Sequence, residues 1–256
     1  MSEKFAIYPS LADRCVLITG GGSGIGAAMV EQFALQGARV AFVDVAEEPS
    51  HALIASLAER CTHAPVFVAC DLTDIPATQG VLHSIFETCG APGVLVNNAA
   101  SDDRHTFAEV TEEYWDQRMA VNLKHQFFVA QTVAPAMKAA GGGSIINMSS
   151  IAWMIPTPNL VLYNMAKAAI VGMTRALAHE LGEANIRVNC VLPGAILTDR
   201  QRRLWMSPEY LASVLGKQCL KHNIAPEEVA RLVLFLAADD SRSISNQSYI
   251  IDGGWI

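Results

Sequence analysis

The stretch Thr19-Gly20-Gly21-Gly22-Ser23-Gly24-Ile25-Gly26 decides the fold prediction. It follows the apolar run CVLITG (15–20) and precedes a segment with apolar residues at helical spacing. Glycine lets the chain turn sharply and approach a phosphate without an intervening Cβ, and the amides at a helix start favour an anion. A strand, a glycine loop and a helix in this order predict a dinucleotide-binding unit, whose cofactor contacts are Gly20, Ser23, Gly24, Ile25 and Gly26.

Seven apolar runs of strand length alternate with helical patterns along the chain. Their apolarity is continuous, which is typical of parallel strands covered on both faces. The sequence therefore predicts an α/β fold with a doubly wound parallel sheet of about seven strands and helices on both faces. Because no linker or charge run divides the chain, we expect a single domain over residues 1–256. The runs are CVLITG (15–20), RVAFVD (39–44), PVFVAC (65–70), GVLVNN (93–98), SIINMS (144–149), IRVNCVL (186–192) and QSYIID (247–252).

Composition excludes several classes of protein. The 256 residues carry 18 basic and 25 acidic side chains, a net charge of −7, and 51% are apolar. This balance argues against disorder and against nucleic-acid binding. No apolar run reaches transmembrane length, and the start of the chain is too mixed for a signal peptide. The six cysteines form no C-x-x-C pair, so we expect no metal site and a soluble protein of the reducing cytoplasm.

Two acidic residues follow predicted strands where a nucleotide would lie. Asp44 ends the second strand, 20 residues after Gly24, and can accept hydrogen bonds from both hydroxyls of an adenosine ribose. No Arg or Lys occurs at 45–48 to receive a 2′-phosphate, so NAD is favoured over NADP. Asp71 follows the third strand and can hold the adenine amino group. Each acid also has an ordinary interpretation, as a helix-capping or solvated residue.

Tyr163 and Lys167 lie four residues apart in a helical segment and so project from one face. A free tyrosine titrates near 10, and a fixed ammonium nearby lowers that pKa toward the range of a useful base. Alone, such a pair is more often a half-buried tyrosine and a surface lysine, so the assignment depends on the residues around it. Ser150, at the end of a predicted strand, precedes Tyr163 by 13 residues, and Ser149 is a less favoured alternative. Asn122 interrupts a helical pattern, where asparagine often bends the helix or bonds the backbone locally.

The order TGxxxGIG, Asp, NNAA, Asn, Ser, YxxxK, PGxIxT resembles the short-chain dehydrogenase/reductase family over essentially the whole chain. The resemblance implies a Rossmann-type sheet, a nicotinamide cofactor and often a homotetramer. It also implies a catalytic tetrad in which Tyr163 is the acid/base, Ser150 binds the reacting oxygen, Lys167 binds the nicotinamide ribose and lowers the tyrosine pKa, and Asn122 holds a water of a proton relay. Further cofactor contacts implied by it are Leu72, Asn98, Pro193, Gly194, Ile196 and Thr198.

Polar and aromatic residues are expected to converge at the substrate site. Carboxylates, amides and an aromatic face suit a polyhydroxylated ligand, and an acidic rim disfavours phosphate-bearing acyl carriers. The ordinary alternatives are a solvated turn for the acid pair, a surface position for His105 and simple packing for Trp153. The candidate substrate residues, besides Ser150 and Tyr163, are Asp102, Asp103, His105, Trp153, Asn159 and Asn164.

The stretches AIYPSL (6–11), SDDRH (101–105), QCLKHNI (218–224) and DGGW (252–255) resemble bacterial NAD-dependent sugar 1-dehydrogenases of the D-xylose 1-dehydrogenase type. This implies oxidation of a cyclic aldose, such as D-xylose, L-arabinose or D-galactose, at its anomeric carbon to an aldonolactone. The alternatives are an NAD(P)-dependent ketone or 3-oxoacyl reductase, a polyol dehydrogenase, and a non-catalytic binding member of the fold. The segment 199–224 resembles the family's variable substrate lid, with Arg200, Trp205 and Met206 as candidate substrate contacts. The apolar C-terminal tail suits a subunit interface.

Overall fold

The computed structural model describes residues 5–256. The first four residues belong to the predicted domain and to the start of the chain that the sequence analysis compared with a signal peptide, and they lie outside the described residues. Strands and helices alternate along this part of the chain, as the apolar pattern predicts. The strands are β1 (Cys15–Thr19), β2 (Arg39–Asp44), β3 (Val66–Ala69), β4 (Val94–Asn97), β5 (Gly143–Met148), β6 (Ile186–Pro193) and β7 (Ser248–Ile251). The helices are α1 (Gly24–Leu35), α2 (Glu47–Leu57), α3 (Ile75–Cys89), α4 (Glu112–Met119), α5 (His125–Ala139), α6 (Val161–Leu181), α7 (Asp199–Leu204), α8 (Pro208–Lys217) and α9 (Pro226–Ala237).

Within residues 5–256, seven strands form one parallel sheet in the order β3-β2-β1-β4-β5-β6-β7. The predicted doubly wound α/β sheet is thus confirmed. The chain first builds outward from β1 to β3 and then returns to build from β4 to β7. The reversal falls between β1 and β4, and open α/β sheets bind ligands outside the carboxyl ends of their strands at this kind of reversal.

The five inner strands, β1, β2, β4, β5 and β6, are buried on both faces along most of their length, which explains their continuous apolarity. The edge strands β3 and β7 are only partly buried. In β1, Val16 and Ile18 pack into one core with α1 and α9, whereas Cys15 and Leu17 pack into a second core with α3 and α5. All five side chains of β1 are buried. Each layer of helices therefore covers one face of the sheet, and polar groups meet solvent mainly at the strand ends and on the outer helix faces.

Two connections differ from a simple strand–helix alternation. Between α4 and α5 the backbone forms a π-helical turn (Ala120–Lys124), which contains Asn122. After β6 the chain runs through α7 and α8 and returns to the sheet edge, where Ile196 and Ile224 form an isolated parallel bridge. The C-terminal tail closes this excursion, since the amides of Cys219 and Leu220 donate to the carbonyls of Gly254 and Gly253. Among residues 5–256, no helix combines the length and apolarity needed to cross a membrane.

Candidate active site

A cavity of about 490 Å³ opens at the carboxyl ends of the strands, beside the reversal between β1 and β4. This volume falls in the usual range for small-molecule sites. It collects the sequence-predicted cofactor residues except Gly24, together with three of the four predicted catalytic residues. The cofactor residues that line it are Gly20, Ser23, Ile25, Gly26, Asp44, Asp71, Leu72, Asn98, Tyr163, Lys167, Pro193, Gly194, Ile196 and Thr198.

The glycine loop is built so that side chains would block it. Gly20 has φ +68°, a conformation that favours glycine, and an added Cβ would lie 2.7 Å from the Cα of Ala99. At Gly26 a Cβ would lie only 1.8 Å from the carbonyl oxygen of Gly20. The space left by the missing Cβ atoms, at the start of α1, fits the phosphate cradle that a dinucleotide needs.

Asp44 is fixed at the end of β2 by the backbone around it. Its Oδ2 accepts from the amide of Gly22 at 2.8 Å, and its Oδ1 accepts from the amide of Ala46 at 2.9 Å. A carboxylate offers about four lone-pair sites, so each oxygen can accept one more hydrogen bond. Asp44 lines the cavity and does not cap α2, whose first turn follows Ala46. A pair of ribose hydroxyls fits this arrangement.

The other nucleotide-side residues also have defined positions. Asp71 accepts from the amide and hydroxyl of Thr73, at 2.9 and 2.7 Å, while Asp74 caps α3. Asp71 is therefore not the helix cap, and it faces the cavity. Asn98 donates from its side-chain amide to the carbonyls of Thr19 and Gly20, at 3.1 and 2.9 Å, and so ties β4 to the glycine loop.

Tyr163 and Lys167 stand on one face of α6 and both line the cavity. The Lys167 ammonium lies 5.4 Å from the centre of the Tyr163 ring and donates to the carbonyl of Met148 at 2.8 Å. Lys167 is buried, so it is not a surface lysine. The hydrogen bond to β5 holds its charge at the end of the sheet, beneath the tyrosine.

Ser150 and Ser149 have different partners. The Ser149 hydroxyl donates to the carbonyl of Lys167 at 2.6 Å, which commits it to holding α6 against β5. Ser150 begins the turn that follows β5, and its oxygen accepts from the amide of Ala152 at 3.1 Å. Its hydroxyl hydrogen can still be donated into the cavity. The geometry therefore favours Ser150 as the group that meets a substrate oxygen.

Burial raises the pKa of Tyr163, and the negative charge of Asp102 raises it further. Hydrogen bonding with Ser150 and the positive charge of Arg200 act in the opposite direction. Burial also lowers the pKa of Lys167 to about 8, so its ammonium is still mostly protonated at neutral pH. In the chain alone, burial and Asp102 outweigh the opposing effects, so the pKa of Tyr163 lies above its ordinary value. Further positive charge at the site is needed to form a phenolate.

Asn122 is fully buried in the π-helical turn and lies just outside the cavity, which its neighbour Val121 lines. Its side chain donates to the carbonyl of Arg118 at 3.1 Å and accepts from the amide of Ser101 at 2.9 Å. The predicted local bonding of the backbone is therefore present. These bonds tie the loop after β4 to the turn.

Of the predicted substrate residues, Asp102, Ser150 and Tyr163 line the cavity, and the other five do not. Asp103 is exposed and bonds Arg118 at 2.7 Å. His105 packs against the Tyr114 ring and accepts from the amide of Leu162 at 3.4 Å. The loop after β4 directs the side chains of Asp103 and His105 toward α4 and α6 rather than into the cavity. Trp153 is 36% exposed on the turn after β5, Asn159 sits in a left-handed turn with φ +63°, and the partly buried Asn164 lies in the first turn of α6.

Several cavity residues were missed or only loosely indicated by the sequence. Arg200 and Gln201 reach in from α7, and Met206 lines the same side. The aromatic face is Trp255 of the C-terminal tail instead of Trp153. His125, one turn after Asn122, also lines the cavity; burial and the Lys167 charge lower its pKa to about 4, so it is neutral. Of the candidate lid contacts, Arg200 and Met206 line the cavity and Trp205 does not. The only signal for Trp255 was its position in the apolar tail.

The chain is similar to known proteins in sequence and in fold. The family model described as enoyl-(acyl carrier protein) reductase matches residues 20–256. D-xylose 1-dehydrogenase of Caulobacter vibrioides (strain NA1000 / CB15N) is 53% identical over 250 residues, 98% of each chain. The probable galactose dehydrogenase GalD of Rhizobium meliloti (strain 1021) is 51% identical over 247 residues, 96% of each chain. A 7α-hydroxysteroid dehydrogenase solved with NADH and 7-oxo glycochenodeoxycholic acid superposes with a TM-score of 0.90 at 29% identity, covering 96% of each chain.

Proposed function

The chain belongs to the short-chain dehydrogenase/reductase family of nicotinamide-dependent oxidoreductases, and we propose that it oxidises a cyclic aldose at the anomeric carbon with NAD. The two relatives described above, each more than half identical to this chain, carry sugar dehydrogenase names. The observation that carries the proposal is the position of Asp102. It places a hydroxyl-accepting carboxylate in the same cavity as Ser150 and Tyr163, beside the glycine loop.

Each residue of the cavity has a distinct part in this reaction. Ser150 donates to the C1 oxygen of the sugar and orients it toward Tyr163. The Tyr163 phenolate takes the proton of the C1 hydroxyl while C1 gives up a hydride. The ring oxygen of the sugar stays attached to C1, so the product is an aldonolactone. Lys167 holds a positive charge below the tyrosine. When bound, NAD supplies the hydride acceptor and further positive charge at the site. Acid–base help of this kind is typically worth about 10²–10⁴-fold in rate.

The preference for NAD rests on the end of β2. A 2′-phosphate would meet the Asp44 carboxylate, and the four residues after it contain no cation: Val45, Ala46, Glu47 and Glu48. Asp44 is already fixed by two backbone amides, so it cannot turn away cheaply. An NADP enzyme would be expected to place Arg or Lys here.

The second candidate is a reductase of ketones or 3-oxoacyl groups on the same fold, because one fold carries many reactions. The family model named for an acyl-carrier reductase shows how widely the scaffold is shared. A panel of aldoses, polyols and 3-oxoacyl thioesters, each assayed for NADH formation or consumption, tests the choice. Oxidation of D-xylose or D-galactose at a higher kcat/KM than any polyol or oxoacyl compound supports the proposal, and the reverse order overturns it.

The remaining features of the proposal concern the whole chain. We propose one catalytic domain, with α7 and α8 within the substrate lid at 199–224, and a cytoplasmic homotetramer acting on a sugar, without nucleic acid or membrane partners. All six cysteines lie in the described part of the chain as free thiols, as suits a reducing compartment. The lid carries Arg200, Gln201 and Met206 into the cavity.

A further inference from the structure

The acidic residue of the substrate cavity is held from the opposite side by the lid. Arg200 donates from Nη1 to Asp102 and from Nη2 to Asp103 at 2.8 Å. Gln201 donates to the second oxygen of Asp102 at 2.7 Å, and Arg118 donates to Asp103 at 2.7 Å. Residues 98 positions apart in the chain are thereby brought together. The planar fork of arginine suits this bridge between two carboxylates.

Asp102 is partly shielded, since only 19% of its side chain is exposed, whereas Arg200 is 41% exposed. Each oxygen of Asp102 accepts one bond from α7, which leaves about half of its lone-pair sites for a sugar hydroxyl. The bonds from α7 therefore orient the carboxylate without using up its capacity to accept. A single ion pair with this exposure would contribute little to stability. The pair between Arg200 and Asp102 belongs to a network of four charged side chains.

The Asp102 carboxylate also affects the protonation of the proposed base, Tyr163. Two negative charges close together oppose each other's formation, so Asp102 disfavours a phenolate at Tyr163. Arg200 faces the same group with the opposite charge, and the two have opposite effects on the pKa of Tyr163. The other charged and titratable groups near this site are Lys167 under the ring, the neutral His125 and the Cys190 thiol near Lys167, Asp103 behind Arg200, and Arg104 and Tyr210 on the cavity wall.

We propose that Arg200 is a positioning residue for the proposed sugar oxidation: it orients Asp102 to receive a substrate hydroxyl and neutralises that carboxylate beside Tyr163. An acidic subsite can then stand next to a phenolate base. The inference rests on the proposed role of Tyr163, but it concerns a residue of the lid that touches Asp102, not the reacting atoms. The lid thus contributes to the charge balance at the base, beyond covering the substrate.

The test is the pH dependence of kcat/KM with NAD and D-xylose, or with D-galactose if that sugar is the better substrate. R200Q leaves Asp102 unneutralised, so the acidic limb moves to higher pH by about half a unit or more, less than the one to three units of a directly adjacent charge. D102N moves the limb to lower pH, and R200Q/D102N returns it to near the wild-type position. R203Q, which removes an exposed charge from the same helix, leaves the limb in place.

R200K separates charge from orientation. Lysine keeps the positive charge but cannot bridge both carboxylates as the guanidinium does. We expect its acidic limb to stay near that of the wild type while KM for the sugar rises at least threefold and KM for NAD is unchanged. If R200Q fails to fold by circular dichroism, R200K and D102N carry the test alone.

Two results would overturn the inference: an acidic limb that does not move in R200Q or D102N, or equal shifts in R200Q and R203Q. The variant Y163F distinguishes this failure from a failure of the proposed function. If Y163F is inactive while R200Q shows no shift, only the role of Arg200 is wrong. If Y163F keeps wild-type turnover, the acid/base assignment itself is wrong.

Discussion

At the scale of single residues, the proposed base Tyr163 depends on the charged groups around it. Burial and Asp102 raise its pKa, whereas the hydrogen bond with Ser150 and the charge of Arg200 lower it. The Lys167 ammonium lies 5.4 Å from the centre of its ring. Tyr163→Phe removes the proton-accepting oxygen and little else. We expect kcat to fall by about 10²-fold or more, with NADH binding by fluorescence unchanged within twofold. A variant with near wild-type kcat would show that another group takes the proton.

On the nucleotide side, Asp44 holds the glycine loop and, in the proposed function, selects NAD over NADP. Asp44→Ala removes two backbone contacts and the ribose acceptor together, so KM for NAD is expected to rise about tenfold or more, and the ratio of NADP to NAD use to increase. Glu48→Gln removes the same charge from an exposed position on α2 and serves as the control. A wild-type protein that already prefers NADP would contradict the selection argument.

At the scale of elements, the π-helical turn between α4 and α5 connects the helix layer to the cavity wall. Asn122 occupies it because its amide can serve the carbonyl of Arg118 and the amide of Ser101 at once. Asn122→Ala leaves both groups without this partner, and each buried unpaired group costs about 1–3 kcal/mol. We expect the free energy of unfolding in urea to fall by about 2–4 kcal/mol. Asn223→Ala, at an exposed position, should change it by less than about 0.5 kcal/mol; equal effects would show that the turn does not depend on Asn122.

At the scale of the whole molecule, the sheet was predictable and the substrate side was not. Each predicted strand begins and ends within one residue of the observed strand. For the five inner strands the reason is that a parallel strand buried on both faces is a continuous apolar run. The cofactor loop was equally clear, since its chemistry depends on neighbouring residues. The pairing of Asp102 with Arg200 depends on the path of the chain after β6, and no local pattern specifies that path. For the same reason the sequence pointed to Trp153 as the aromatic face, although Trp255, 102 residues later, lines the cavity.

The surface of the whole molecule carries the argument for assembly. Trp115 on α4 and Phe127 on α5 are 40% and 41% exposed. These side chains are candidates for the interface of the proposed homotetramer, because association removes apolar surface from water. We expect light scattering after size-exclusion chromatography to give the mass of four chains. Phe127→Glu places a charge in this surface, so the tetramer should dissociate while circular dichroism stays native. Leu35→Glu, at a similarly exposed apolar position on α1, should leave the tetramer intact. Dissociation by Leu35→Glu alone would place the interface on the opposite layer of helices. A wild-type protein that is a monomer would contradict the proposed homotetramer.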